Sequence, residues 1–238
     1  AGVNFTLLWF IRDGHFKRAF GDEEFRNYVV YITVGVLAVF IALLASGTSA
    51  GNALRDSLFQ VVSIGTSTGY TSTNYMDASW PLVTHLIIFI LMIVGASAGS
   101  TGGGLKLLRV TLAFKVAMRE LVRIAQPRKI DRIRMNGEVV ERQQISLIVG
   151  MLIVWVGLFG ISSILLAIFM PGDSFESITT LVASSLGNTG PALGDYGPNN
   201  TWAGMNSGAL LITSVLMWFG RLELLTAVIL IHPRTWRR

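Results

Sequence analysis

Cysteine is absent from the 238 residues, which excludes disulfide staples and thiolate metal sites. Histidine is nearly as scarce: His15, His85 and His232 are too scattered to build an imidazole metal centre. Charge is thin as well. Asp, Glu, Lys and Arg make up 14% of the chain, against about a quarter in an ordinary water-soluble domain. The chain also has no initial Met and no basic, short-apolar, small-residue leader. Its opening, AGVNFTLLWFIRDG, reads as the exit from an earlier helix, as in a fragment or a processed chain.

What fills the sequence instead is apolar surface, 52% of all residues, gathered into blocks over 28–45, 82–94, 145–169 and 209–231. Roughly 20 apolar residues cross a bilayer as a helix. The reading is therefore an all-α integral membrane protein. Ten of the nineteen Lys and Arg fall between Lys106 and Arg142, in one segment joining two apolar blocks. That asymmetry places the segment in the cytoplasm. Nucleic acid is excluded as a partner, because no soluble basic domain accompanies the charge.

The organisation repeats once. A long apolar helix, a short amphipathic segment, a Gly/Thr turn, a polar loop and a second apolar helix run from Phe25 to Ser46, Asn52 to Ile64, Gly65 to Thr71, Ser72 to Ser79 and Trp80 onward. The second copy runs through Gln144 to Met170, Ser174 to Ser185, Leu186 to Pro191, Ala192 to Thr201 and Trp202 to Ile231, with Gly69 falling on Gly190. NALRDSLFQVVSI and DSFESITTLVASS are too short to cross, and the first, with Leu54, Leu58, Phe59, Val61 and Val62, is too oily for an aqueous loop. Re-entrant half-helices fit, since irregular backbone at that depth must be buried in protein or line a water-filled cavity. Between the copies, Asn136-Gly137 within IDRIRMNGEVVER predicts a small cytoplasmic β-hairpin.

A cation leaving water needs several oxygen dipoles to replace its hydration shell, and successive backbone carbonyls supply them. Gly69 and Gly190 provide the unusual dihedrals such a backbone needs. Ser67, Thr68 and Thr189 can add hydroxyl oxygens, with Asn188 standing where Ser67 does. The alternative is that these small residues only let helices pack closely, as in a non-conducting scaffold.

The run GASAGSTGGGLK, Gly95 to Lys106, interrupts the next apolar helix, since each glycine costs a helix roughly 1 kcal/mol against alanine. A flexible plug or gate follows as an expectation. Arg221 lies as far beyond Gly190 as Ser100 lies beyond Gly69, and a membrane arginine is costly and usually functional. It can bond the carbonyls freed by the glycine-rich loop or act as a barrier to cations; a structural pair with Glu223 or a snorkelling side chain is the alternative. A phosphate-binding loop is excluded at GSTGGGLK, where no Ser or Thr follows the lysine and no strand precedes it. A serine hydrolase using Ser100 and His85 fails on distance, some 22 Å by helical rise. Asp77 and Asp195 follow the turns and either concentrate cations or solvate loops. Met92, Trp155 and Trp218 read as packing or lipid-facing residues.

STGY and SLGNTGP after short re-entrant helices, the broken GSTGGGLK helix and GRLE in the last helix resemble the Trk/Ktr/HKT superfamily of K⁺ transporters. The likeness is greatest to the third and fourth units of bacterial Trk members. It implies two M1-P-M2 units (helix, re-entrant pore helix plus filter, helix) at residues 23–124 and 143–238, preceded by a helix end and linker at 1–22 and separated by a hairpin linker at 125–142. It further implies K⁺ uptake without enzyme activity or organic cofactor, in a bacterial inner membrane. Ser67, Thr68, Gly69, Tyr70, Asn188, Thr189, Gly190 and Pro191 would bind the ion. Gly95, Gly99, Ser100, Thr101, Gly102, Gly103, Gly104, Lys106 and Arg221 would form the gate. Implied partners are the first two M1-P-M2 units of the same pore, a second copy in a homodimer, the lipid bilayer, and a cytoplasmic nucleotide-binding ring of TrkA/KtrA type meeting the basic segment Arg119 to Arg142.

Overall fold

The computed structural model describes residues 2–126 and 132–222, and these are mostly helical. Two short helices, α1 (Phe5–Arg12) and α2 (Phe16–Gly21), lead into α3 (Glu23–Ala45) and α4 (Ala50–Gly65). A polar loop then reaches α5 (Leu82–Ile93), and the glycine-rich run separates α5 from α6 (Leu107–Ala125). Strands β1 (Arg134–Met135) and β2 (Glu138–Val139) pair antiparallel, with Asn136 and Gly137 at positive φ in the turn. Then come α7 (Arg142–Phe169), α8 (Phe175–Gly187) and α9 (Ser207–Arg221).

Local chemistry sets where the helices start. Asp22 caps α3 by accepting the Phe25 N–H at 2.8 Å, and Glu23 and Glu24 in the first turn complement the positive end of the helix dipole. Ser174 caps α8 through the Ser177 N–H at 3.1 Å, and Asn206 caps α9 through the Gly208 N–H at 2.9 Å. α3 and α7, at 23 and 28 residues, are the two described helices long and apolar enough to cross a membrane; α5 and α9 are shorter apolar helices.

Two apolar cores wrap the short helices. In the first, Val39, Leu43, Val61, Ile64, Ile88 and Leu91 join α3, α4 and α5; in the second, Leu166, Leu181, Val182, Leu186, Ala209 and Leu216 join α7, α8 and α9. Ala183 of α8 and Leu193 just beyond it pack into the first core, so the two cores interlock. Met92 and Trp155 are buried, Trp155 stacked on Phe159 at 5.5 Å, whereas Trp218 is exposed. α4 is inverted relative to a soluble amphipathic helix. Its polar residues Asp56, Ser57, Gln60 and Ser63 are buried, while Leu54, Leu58, Phe59 and Val62 are exposed.

Candidate functional site

α4 and α8 end in the same turn. With Gly69 set on Gly190, the backbone repeats step by step. Ser67 N–H donates to Ile64 O at 2.9 Å, as Asn188 N–H does to Ser185 O at 3.3 Å; Thr68 N–H donates to Ser63 O at 2.9 Å, as Thr189 N–H does to Ser184 O at 3.1 Å. Ser67 and Asn188 both have left-handed φ, 54° and 50°, and so do Gly69 and Gly190, at 81° and 104°. The matched serines behind the turns act alike. Ser63 Oγ donates to Tyr70 O at 2.5 Å and Ser184 Oγ to Gly190 O at 3.1 Å.

The turns lie against each other. A Cβ on Gly69 would sit 2.2 Å from the Thr189 carbonyl oxygen and 3.6 Å from the Gly190 Cα. Among the described residues, no hydrogen bond reaches the carbonyl oxygens of Ser67, Thr68, Gly69, Asn188 or Thr189. Folded chains pair the great majority of their backbone carbonyls. This cluster, at the negative ends of two helix dipoles, is chemically a set of acceptors for a cation.

The side chains of the turns bond to their neighbours. Thr189 is buried with its hydroxyl 3.0 Å from Ser184 Oγ, Ser67 Oγ accepts the Gly103 N–H at 3.2 Å, and Asn188 Nδ2 donates to Met217 O at 3.0 Å. Thr68 Oγ1 lies 2.7 Å from Thr66 Oγ1. The polar side chains of Ser67, Asn188 and Thr189 thus brace the turns, each bonding a nearby polar group. Tyr70 has an exposed side chain and Pro191 a half-buried one.

The glycine-rich run is a loop pinched at its base. Gly95 N–H donates to Leu105 O at 2.9 Å and Leu105 N–H to Ile93 O at 3.0 Å. It lies at the end of both turns nearest their helices: a Cβ on Gly103 would fall 2.2 Å from Gly187 O, and one on Gly102 3.4 Å from Thr66 O. Cationic side chains hold its carbonyls. Buried Lys106 donates to Ser100 O at 3.2 Å and Gly102 O at 2.6 Å, and Arg221 Nη1 donates to Thr101 O at 2.5 Å. Ser100, Thr101, Gly102, Gly104, Lys106 and Arg221 all line a cavity of about 240 Å³. Arg221 thus bonds a loop carbonyl, as one of its readings from sequence expects; Glu223 and His232 lie outside the described residues.

Sequence reasoning missed the clasp on the other side of this loop. Gly2 O accepts the Ser97 N–H at 3.0 Å, Phe5 N–H donates to Gly99 O at 3.2 Å, and buried Glu24 accepts the Ala98 N–H at 2.5 Å. A carboxylate in the first turn of an apolar helix was the available signal, and it has an adequate local explanation in the helix dipole. Around the far ends of the turns, His85 Nε2 lies 2.7 Å from Tyr75 O and Nδ1 lies 3.6 Å from Glu176 Oε1. Ser100 Oγ donates to Ser97 O at 2.5 Å, and among the described residues no hydrogen bond joins Ser100 to His85. Asp77 accepts from Asn74 Nδ2 at 2.7 Å and Asp195 from Ser177 Oγ at 3.2 Å, both loop-bracing bonds. Tyr75, placed by sequence in an outer loop, is fully buried and donates to Ala192 O at 3.1 Å across the two copies.

Apolar helices of membrane length and two in-register helix ends closing on glycine turns define a helical membrane protein. The chain belongs to the TrkH family, whose sequence profile, described as a cation transport protein, matches residues 27–237. It is 34% identical over 242 residues to the Trk system potassium uptake protein TrkH of Vibrio parahaemolyticus, covering 100% of this chain and 49% of that protein. Against the protein of the same name from Escherichia coli K12 the identity is 33% over 241 residues, covering 100% and 48%. The crystal structure of the potassium transporter TrkH from Vibrio parahaemolyticus superposes with a TM-score of 0.90 at 33% identity, over 99% of this chain and 50% of that one. The chain thus spans about half the length of the relatives it matches.

Proposed function

We propose that this chain supplies two of the ion-binding turns of a K⁺ uptake pore. The observation that carries the reading is the set of carbonyls on Ser67, Thr68, Gly69, Asn188 and Thr189 that have no hydrogen-bond partner among the described residues, held on two matching turns that touch. Backbone oxygens in this arrangement replace the hydration shell of an alkali cation. Close helix packing alone calls for no left-handed glycine at Gly69 and Gly190, which weighs against the scaffold alternative. Likeness to proteins named for potassium uptake supports K⁺ as the ion carried.

On this reading residues 23–124 and 143–238 are two M1-P-M2 units, 1–22 a helix end and linker, and 125–142 a cytoplasmic hairpin linker. Ser67 to Tyr70 and Asn188 to Pro191 form the filter, chiefly through main chain. The Gly95–Gly104 loop, pinned by Lys106 and Arg221, is the barrier below it. Two turns cannot ring an axis, so two further M1-P-M2 units complete the pore, and the exposed apolar face of α4 is a surface for them. Homodimerisation, a cytoplasmic nucleotide-binding ring of TrkA/KtrA type at Arg119 to Arg142, and an inner-membrane setting complete the proposal.

The test is ion flux. A full-length protein carrying this sequence, purified into liposomes, is expected to take up K⁺ or Rb⁺ in preference to Na⁺, and serine at Gly69 or Gly190 to weaken that preference. Liposomes impermeable to all three ions would leave the scaffold reading in possession.

A further inference from the structure

The hairpin is tied to the start of α3 by several bonds. Asn136 Oδ1 accepts the Glu23 N–H at 2.7 Å, its Nδ2 donates to Asp22 Oδ2 at 2.8 Å, and its own N–H donates to Glu23 Oε2 at 3.2 Å. Lys115 of α6 closes the junction by donating to Glu23 Oε1 and, at 2.8 Å, to Arg134 O of β1. One residue on, Glu24 reaches a different neighbour. It is buried, and its Oε1 accepts the Ala98 N–H of the glycine-rich loop at 2.5 Å. Hairpin, α6 and loop therefore meet on a single helical turn.

All but the Glu23 N–H to Asn136 Oδ1 bond involve a charged group, the stronger class of hydrogen bond. Glu23 and Glu24 are consecutive residues of one helix, so a displacement of the first carries the second with it. The loop also contains a source of instability. Ser97 is 1% exposed, and its hydroxyl has no partner among the described residues. A buried unpaired hydroxyl disfavours the arrangement that contains it, so this position of the loop depends on what its neighbours hold.

We propose that the hairpin turn is a regulatory handle on the Gly95–Gly104 loop: drawing Asn136 away from Asp22 and Glu23 withdraws Glu24 from Ala98 and releases the loop. A protein partner that grips the hairpin, with Arg132 and Arg134 on one flank, acts on the pore by this route. The inference rests on the reading of the loop as a barrier to K⁺. It assigns Asn136, Glu23 and Glu24 as positioning residues, none of which touches the ion.

The test uses the full-length protein with two readouts, amide hydrogen exchange of the loop and K⁺ flux into liposomes. Asn136→Gly removes the side chain while tolerating the φ of 51°. Glu24→Ala removes the acceptor, and Glu24→Gln keeps a carbonyl oxygen in its place. Asn136→Gly and Glu24→Ala are each expected to speed exchange over Ser97 to Gly99 and raise flux roughly fivefold or more. Glu24→Gln should stay near wild type, and the double variant should add little to the stronger single, as residues on one path do. Unaltered exchange in Asn136→Gly, with an effect from Glu24→Ala alone, overturns the handle and leaves Glu24 as a local anchor. Faster exchange in both variants with no K⁺ flux from any protein, wild type included, supports the handle and retires the transport reading.

Discussion

Adding one methyl group at Gly69, and separately at Gly190, distinguishes backbone strain from collision inside the site. Both residues are left-handed, φ 81° and 104°, so alanine at either costs roughly 1–2 kcal/mol of conformational energy. The surroundings differ. A Cβ at Gly190 meets nothing nearer than the Gly69 Cα at 3.5 Å, an ordinary contact, whereas a Cβ at Gly69 falls 2.2 Å from the Thr189 carbonyl oxygen. That is roughly 1 Å inside van der Waals separation. The obstructing atom is backbone, so the second turn itself must retreat. An oxygen moved that far no longer replaces one from the ion's hydration shell. Losing one charge-assisted contact of about 1.5–3 kcal/mol corresponds to roughly 10- to 150-fold in K⁺ preference. The assay is Rb⁺ uptake into liposomes with K⁺ and Na⁺ as competitors. Gly69→Ala should lose most of the discrimination and Gly190→Ala retain most of it, while both melt at lower temperature. Equal losses, or a larger loss at Gly190, would refute the geometry of opposed turns.

Two further expectations concern the loop and the far ends of the turns. Arg221→Ala removes the bond to Thr101 O; at about 1.5 kcal/mol, the lower value for a charged bond because Arg221 is exposed, flux should rise roughly tenfold, and wild-type flux would remove Arg221 from the barrier. Burial and the bond to Asp173 Oδ2 at 2.7 Å push the Tyr196 phenol up from 10.0 to about 12. The folded state therefore holds this proton more tightly than the unfolded chain. The resulting stability is complete below the unfolded value and is lost as pH rises through the folded one. Thermal melting followed from pH 9 to pH 12 should fall more steeply for wild type than for Tyr196→Phe, and parallel curves would contradict the shift.

The long apolar helices and the two matched turns were legible because they are written as pattern: runs of membrane length, and one glycine at the same place in each copy. Arg221 was legible as a cost that needed a partner, and its Nη1 donates to the carbonyl of Thr101. What escaped was direction and long-range pairing. A hydroxyl in a turn can face the axis or the helix behind it, and Thr189 turned toward Ser184, a choice made by packing within α8. Glu24 has a sufficient local role as a complement to the helix dipole, and nothing local to it announces Ala98, 74 residues away. Tyr75 sits in a polar loop by composition, yet its ring is buried against Trp80 at 6.1 Å. Periodicity reports which face is apolar; the partner of an isolated polar group is decided by the tertiary fold.

α7, the longest described helix at 28 residues, rises about 42 Å, whereas α3 at 23 residues rises about 34 Å against a hydrocarbon core of about 30 Å. A bilayer that accepts α3 nearly upright makes α7 lean or project beyond its surface. α7 packs directly on α8, whose C-cap is Asn188, followed by Thr189. Lipid thickness thereby becomes a mechanical input to this protein: thinner or thicker acyl layers change the slant of α7, and with it the support on which one of the two glycine turns rests.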